Sequence, residues 1–282
     1  MYELVVENEQ GNQLTLTDCD FCDVLKVTGL NPPSANIITS EIAGADGARF
    51  NSSNVQIRNI VLLLNIKTPI EENRQQLYKY FRSKRWCRLY YRNDNRDVYI
   101  DGYIESFEND QFTELQKPQI SIVCPEPFLK NRTTQSVQFS NEIGKFEFPF
   151  SISKEGIELG IIQNEIIQVV DAGEVETGAI ISLIATSDQI LNPTIYNRTT
   201  QQYFGLNIDM NEGDVITINT LFGKKSVTLL KNGVTTNIID KMTNGSKWIK
   251  FMPGENELSY GSDEGQSNLN VNVEFTRLFE GV

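Results

Sequence analysis

"WIKFMPGENELSYGSDEGQSNLNVNVEFTRLFEGV", residues 248–282, shows most plainly the pattern on which the rest of the chain is built. In "NVNVEFTRL" (270–278) apolar and polar residues alternate, the period-two signature of a strand with one buried face. Pro253-Gly254 is a turn pair, and "WIKFM" and "NELSY" flank it as strand-like runs. Nothing here has helical spacing.

The same character extends back to residue 133. "KFEFPFSI", "IIQNEIIQVV", "GAIISLIA", "DVITINTLF", "KSVTLL" and "TTNIID" are short strand-like runs. Turn signals such as Asn232-Gly233 and Asn244-Gly245 separate them. Many short strands at this spacing predict an antiparallel β-sandwich. "CPEPFLKN" (124–131) places two prolines after the strand "QISIVC" and marks a domain boundary, giving domains over 1–130 and 131–282. "NRTTQ" occurs at 131–135 and 197–201, a coincidence between turns rather than a repeat.

The first domain reads differently. Residues 3–30 alternate as short strands. Residues 31–53, rich in Asn, Pro, Gly and Ser, read as a long irregular loop with either a function or mobility. Ile57–Ile66 reads as a strand buried on both faces. One helix is expected from about Pro69 to about Ser83, with Thr68 as N-cap, Glu71 completing a capping box, and Ile70, Leu77, Tyr80 and Phe81 on the buried face. "CRLYYRNDNRDVYIDGYIESF" (87–107) reads as a hairpin turning at "NDN".

Composition excludes several functions. The chain of 282 residues has no histidine, which removes Ser-His-Asp and Cys-His catalysis and most metal sites. The acids are too scattered to single out a catalytic pair, so a carboxylate glycosidase is a distant alternative. Cys19 and Cys22 form the one C-x-x-C pair, in a context that suits buried thiols better than a redox or zinc site. No cofactor is expected. The longest apolar run, "IVLLL" (60–64), is too short to span a bilayer, and the N-terminus lacks signal-peptide character, so a start in the cytoplasm is expected unless an unusual route exports the chain.

Net charge is −12, yet "KYFRSKRWCRLYYR" (79–92) holds six cations and no acid. It could be a nucleic-acid strip, a solvated helix end with an edge strand, or a subunit interface. The interface reading is preferred, on Arg82, Arg85, Trp86, Arg88, Tyr90 and Arg92. Residues 133–282 carry 10 cations against 19 acids, net −9, a poor surface for nucleic acid or anionic membranes. Tyr196, Tyr203, Phe204 and Trp248 are read as core aromatics, with a sugar platform as the alternative.

The closing module resembles that of siphophage distal tail proteins: a strand, a "PGxN" turn on Pro253, Gly254 and Asn256, a strand, a polar loop and a last alternating strand ending at Gly281-Val282. "NPTIYNRTTQQYFGLNIDMNEGDVITINTLFGKKSVTL" (192–229), "CPEPFLKN" and "GADGARF" (44–50) fit the same family in order and spacing. The resemblance implies a mainly β protein. Its N-terminal domain would be a β-sandwich or split-barrel-like unit with one α-helix and a hairpin, and its C-terminal domain a galectin-like antiparallel β-sandwich facing outward. It implies a non-enzymatic hub: a hexameric ring at the phage tail tip, in the virion, between the tail tube protein and the tail-associated hub or lysin protein. In some relatives it also holds a receptor-binding protein. The alternative is a carbohydrate-binding adhesion module of a tail tip. No specific nucleic acid and no membrane would be bound.

Overall fold

A computed structural model describes residues 2–44, 46–139, 142–144, 160–162 and 168–282. The chain divides into two units: residues up to Arg132 together with Leu278–Val282, and Thr133–Arg277. The last five residues thus belong to the first unit, which a single cut after residue 130 does not anticipate.

The first unit is built on strands that obey the alternation rule. They are β1 (Glu3–Asn8), β2 (Gln13–Thr15), β3 (Cys22–Thr28), β4 (Ala35–Glu41), β5 (Ala48–Val55) and β6 (Arg58–Ile66). After α1 (Ile70–Tyr80) come β7 (Trp86–Arg92), β8 (Asp97–Glu108), β9 (Gln119–Cys124) and β10 (Leu129–Asn131). One antiparallel sheet runs β2-β1-β7-β8-β9-β6-β3 and stays open rather than closing into a barrel; β10 joins through β8, and Leu278–Phe279 pairs with β10.

Its core draws on one face of each strand: Leu4 and Val6, Ile60, Leu62 and Leu64, Leu89, Ile100, Ile120 and Ile122. β6 is buried at alternate positions, with Asn59 exposed and the others only partly covered, so it is a one-faced strand and not the doubly buried one its apolar run suggests. The helix lays Leu77 and Phe81 into the same core, with Ile70 and Tyr80 beside them. It begins one residue later than expected. Pro69 is extended at the N-cap position and no side chain caps the end, so the Thr68–Glu71 capping box does not form. Arg74 is also buried on the helix, donating to Gln116 Oε1 at 3.0 Å and pairing with Glu71.

Residues 31–53 are mostly not irregular. β4 and β5 pair over seven positions as a long antiparallel hairpin, with every residue of both strands exposed. The turn between them uses Gly44 and Gly47 at positive φ, the conformation that favours glycine.

At the base of this hairpin lies Arg58, almost fully buried at 2% exposure. Its Nε donates to the Pro127 carbonyl at 2.6 Å, and Nη1 to those of Gly29 and Asn31 at 2.7 and 2.9 Å. Nη2 donates to the Glu280 carbonyl at 2.6 Å. These four acceptors are neutral backbone oxygens, and burial pulls the guanidinium pKa below its usual value. The planar fork reaches four carbonyls at once, which a lysine ammonium cannot do.

The second unit holds β11 (Gln135–Phe139), β12 (Glu142–Gly144) paired with β13 (Gly160–Ile162), β14 (Gln168–Asp171), β15 (Ile180–Ala185) and β16 (Ile190–Leu191). Then follow β17 (Thr194–Asn197), β18 (Gln202–Gly205), β19 (Asp209–Met210), β20 (Val215–Asn219), β21 (Ser226–Lys231), β22 (Val234–Asn237), β23 (Glu255–Gly261) and β24 (Leu269–Phe275). A six-stranded sheet, β11-β24-β15-β20-β21-β22, and a four-stranded sheet, β14-β23-β17-β18, contribute to one core. Ile181, Leu183, Ile216, Ile218, Val271 and Val273 come from the first; Ile195, Phe204, Leu258 and Tyr260 come from the second. This is the antiparallel sandwich the alternation predicts. The run "KFEFPFSI" lies outside the described residues, and "WIKFM" forms a single bridge, Phe251 to Thr177, instead of a strand.

The PGxN turn has a physical basis. Gly254 sits at φ +80°, and Asn256 is completely buried. The Asn256 side chain accepts from the Met252 amide at 2.8 Å and donates to the carbonyls of Met252 and Gly254 at 2.8 and 3.0 Å. Its Oδ1 also accepts from Asn197 Nδ2 at 3.3 Å. Asn197 in turn binds the Lys250 carbonyl and receives the Thr200 amide, so the second "NRTTQ" is a turn organised by its own asparagine. In the first "NRTTQ", Asn131 ends a strand, so the two copies do different work.

Two outcomes are expected. Arg58→Met should destabilise the first unit by about 3 kcal/mol or more, because four carbonyls lose a charged donor inside the fold. Arg58→Lys should recover only part of that, and an unchanged urea midpoint for the Met variant would refute the clamp. Asn256→Ala should cost the second unit about 2 kcal/mol in chemical denaturation, for the buried backbone groups left unmet.

Candidate assembly interface

The basic stretch spans the end of α1 and all of β7. In β7, Cys87 and Leu89 point into the core, which leaves Trp86, Arg88, Tyr90 and Arg92 on the outer face. Register decides what they meet. Arg88 lies between Glu7 of β1 and Asp101 of β8; Tyr90 lies between Val5 and Tyr99; Arg92 lies between Glu3 and Asp97.

Arg88 is the centre of this face. Its Nε donates to Asp101 Oδ1 at 2.7 Å, and its guanidinium stands over Tyr99 at 4.3 Å and Trp86 at 5.3 Å from the ring centroids. Burial pulls its pKa down, but hydrogen bonds to Asp101 and Tyr90 outweigh this and hold it above the ordinary arginine value. Lys130 reaches the other Asp101 oxygen at 3.4 Å and Glu126 at 2.6 Å. The Tyr90 hydroxyl donates to Glu7 Oε2 at 2.7 Å, and Gln13 donates to the same oxygen at 2.8 Å. Those two hydrogen bonds, Gln13's first, lower the Glu7 pKa.

The six named residues therefore separate into two groups. Trp86, Arg88, Tyr90 and Arg92 share one face of the sheet, and acids of neighbouring strands stand opposite the two arginines. Arg82 and Arg85 are exposed beyond the helix, where Arg85 makes a loose 3.5 Å pair with Glu9. A nucleic-acid strip needs cations available to phosphate. Arg88 is instead committed to Asp101, a partner visible only once β7 and β8 are in register.

The four cysteines are all buried and unbonded. Burial raises the thiol pKa of Cys22, and pushes Cys87 and Cys124 up to about 12. Cys19 and Cys22 are both buried in the first unit's core, and a redox-active C-x-x-C needs the opposite of the Cys22 shift. Among the described residues no helix is long and apolar enough to cross a membrane.

A second surface lies in 31–53, the stretch expected to be a loop with either a function or mobility, and it is a paired hairpin instead. The β4–β5 arm carries Ile37 at 56% and Phe50 at 59% exposure, with Ile38, Ile42 and Val55 also exposed. Its strands pack on each other and on no other element to a comparable extent. Two-stranded hairpins are marginal alone in water, and apolar patches of this kind mark interaction sites. The signal was present as Asp46-Gly47 between Ile/Thr-rich and Phe/Val-containing runs.

Comparison with known proteins gives a consistent result. Residues 9–124 match the family model "Phage tail protein RIFT-related domain", and residues 172–279 match "Siphovirus-type tail component, C-terminal domain". Among solved structures, the fold is similar to SPP1 Dit (gp 19.1), described as a paradigm of the hub adsorption apparatus in phages infecting Gram-positive hosts. That likeness has a TM-score of 0.68 at 13% identity, over 98% of this chain and 99% of the other. A chain of the phage P2 baseplate, in its activated conformation with Ca, is similar at a TM-score of 0.54 and 11% identity over the whole of both chains. No curated protein matches in sequence.

Two measurements check the outer face. Arg88→Glu should destabilise the first unit by about 2 kcal/mol, whereas Arg82→Glu should stay within about 0.5 kcal/mol of the parent. Tyr90→Phe should move the Glu7 carboxyl back toward the ordinary range. A depressed carboxylate stabilises the fold above its unfolded pKa and loses that contribution as pH falls through its folded pKa. The variant should therefore give up this contribution at a higher pH on acidification, and an unmoved Glu7 midpoint in a carboxyl NMR titration would count against the assignment.

Proposed function

The chain belongs to the siphophage distal tail protein family, and we propose on that footing that it assembles with copies of itself into a hexameric ring at the tail tip. It is a structural baseplate component of the phage tail, and assembly in an oligomeric tail complex is the role its relatives imply. The carrying observation is the β4–β5 arm, exposed on both strands and rich in apolar side chains. Such an arm gains stability when a surface covers it, and in a closed ring each subunit supplies that surface to the next.

Arg82 and Arg85, exposed beyond the helix, suit the rim of a subunit contact, where exposed cations set register and partner choice. The face of Trp86, Arg88, Tyr90 and Arg92 already has acids opposite its cations, so it suits a neighbouring surface of low net charge. The first unit would build the ring between the tail tube protein and the tail-associated hub or lysin protein. The second unit, 133–277, would face outward and carry a receptor-binding protein in phages that hold one there. Subunits would be made in the host cytoplasm. No catalytic step is assigned to the chain.

Sedimentation velocity and negative-stain electron microscopy of the full chain should show closed rings. A chain carrying Ile37→Glu with Phe50→Glu should sediment as a folded monomer, because neither side chain supports a core. Arg82→Glu with Arg85→Glu should weaken the ring less. A monomeric parent, or rings that survive the arm substitutions, would overturn the proposal.

A further inference from the structure

The four aromatics that sequence places together are divided by the second unit. Phe204 is fully buried and Trp248 packs against it, ring centroids 5.2 Å apart, so these two are core. Tyr196 and Tyr203 are not. They lie directly opposite each other on β17 and β18, on the face turned away from the core, with ring centroids 6.4 Å apart. The Tyr203 hydroxyl donates to the Asn244 carbonyl at 2.8 Å, which fixes its ring. Tyr196 keeps 41% of its surface exposed.

The two rings border an open cleft of about 600 Å³, also lined by Arg198, Gln201, Gln202 and Ser259. The "NRTTQ" turn supplies Arg198 and Gln201, and buried Asn197 holds that turn in shape through the Thr200 amide. Arg198 Nε donates to Ser259 Oγ at 3.0 Å, so the guanidinium is anchored at the cleft wall. The cleft thus combines two positioned aromatic faces with the side-chain amides of Gln201 and Gln202 and a guanidinium, and none of the described residues that line it is acidic.

That combination selects a chemistry. A pyranose ring has apolar C–H faces and a rim of hydroxyls that both donate and accept. Tyrosine faces suit the first, and amides, which carry a donor and an acceptor each, suit the second. A polyanion is disfavoured by the −9 charge of residues 133–282. The outer edge of β18 is already taken, because the Lys247 and Thr243 amides donate to the carbonyls of Tyr203 and Gly205 at 2.8 and 3.0 Å, so an extended peptide has no strand edge to join here.

We propose that the cleft binds a neutral oligosaccharide, one sugar ring stacking on Tyr196 and Tyr203 while Gln201, Gln202 and Arg198 take its hydroxyls. The site lies within one unit of one chain and is independent of ring assembly.

The test is a calorimetric titration of the full chain with chitotriose, cellotriose and maltotriose, up to about 10 mM. Saturable binding of at least one is expected. Tyr196→Ala should weaken it about tenfold or more, and Gln202→Ala several-fold, with the melting temperature of the second unit retained. Phe222→Ala, at an exposed position outside the cleft lining, should leave affinity unchanged. Should Tyr196→Ala fail to fold, Gln201→Gly replaces it, because Gln201 already sits at φ +54°. Absence of saturable binding by all three sugars overturns the proposal, as does affinity unmoved in the cleft variants.

Discussion

The first unit depends on one buried cation. Arg58 opens β6, and its guanidinium holds the carbonyls of Gly29, Asn31, Pro127 and Glu280. These groups come from three separated stretches: the lead into the β4–β5 arm, the loop before β10, and the last residues of the chain. A guanidinium is a poor guest in an apolar interior unless its donors are met. Here they are met by oxygens that would themselves be costly to leave bare. The requirement is mutual, so the three stretches are fixed by one side chain.

That constraint explains features that look unrelated in sequence. The arm emerges from a rigid base, because Gly29 and Asn31 are both held. Gly29 itself has no room for a side chain: a Cβ there would meet the Asn59 carbonyl at 2.1 Å. The chain end is drawn into the first unit although it follows directly on β24 of the second, and Leu278–Phe279 extends β10 there. An exposed arm on a fixed root is suited to reaching a neighbouring subunit. The entropy of ordering its root is lost on folding and need not be lost again on assembly.

Much of this was legible beforehand, and the reason is periodicity. Alternation in β15, β20 and β24 reports directly which side chains face a core, so the sandwich followed from the pattern alone. The "NDN" turn and the β7–β8 hairpin were readable for the same reason, and so was the existence of one helix. The Thr68–Glu71 capping box was not formed, because Pro69 stays extended and the helix starts one residue later. The arm was missed because its composition resembles a loop, and its strands lack the buried face that makes alternation visible. The role of Arg88 was half legible. Its charge was evident, but its partner Asp101 lies thirteen residues away and becomes a neighbour only through register.

By itself, the sequence determined the class of structure and the family. Alternating runs, turn pairs and the PGxN closure are local, and local rules act on neighbours along the chain. Tertiary structure decided everything that required distant residues to converge: the four carbonyls on Arg58, the acids opposite β7, the return of the chain end, and the fate of the four aromatics. Tyr196 and Phe204 carry the same kind of side chain signal in sequence. Only the pairing of β17, β18 and β23 turns one into a cleft and the other into a core, because a strand's two faces are set by which sheet it joins and on which side that sheet is covered.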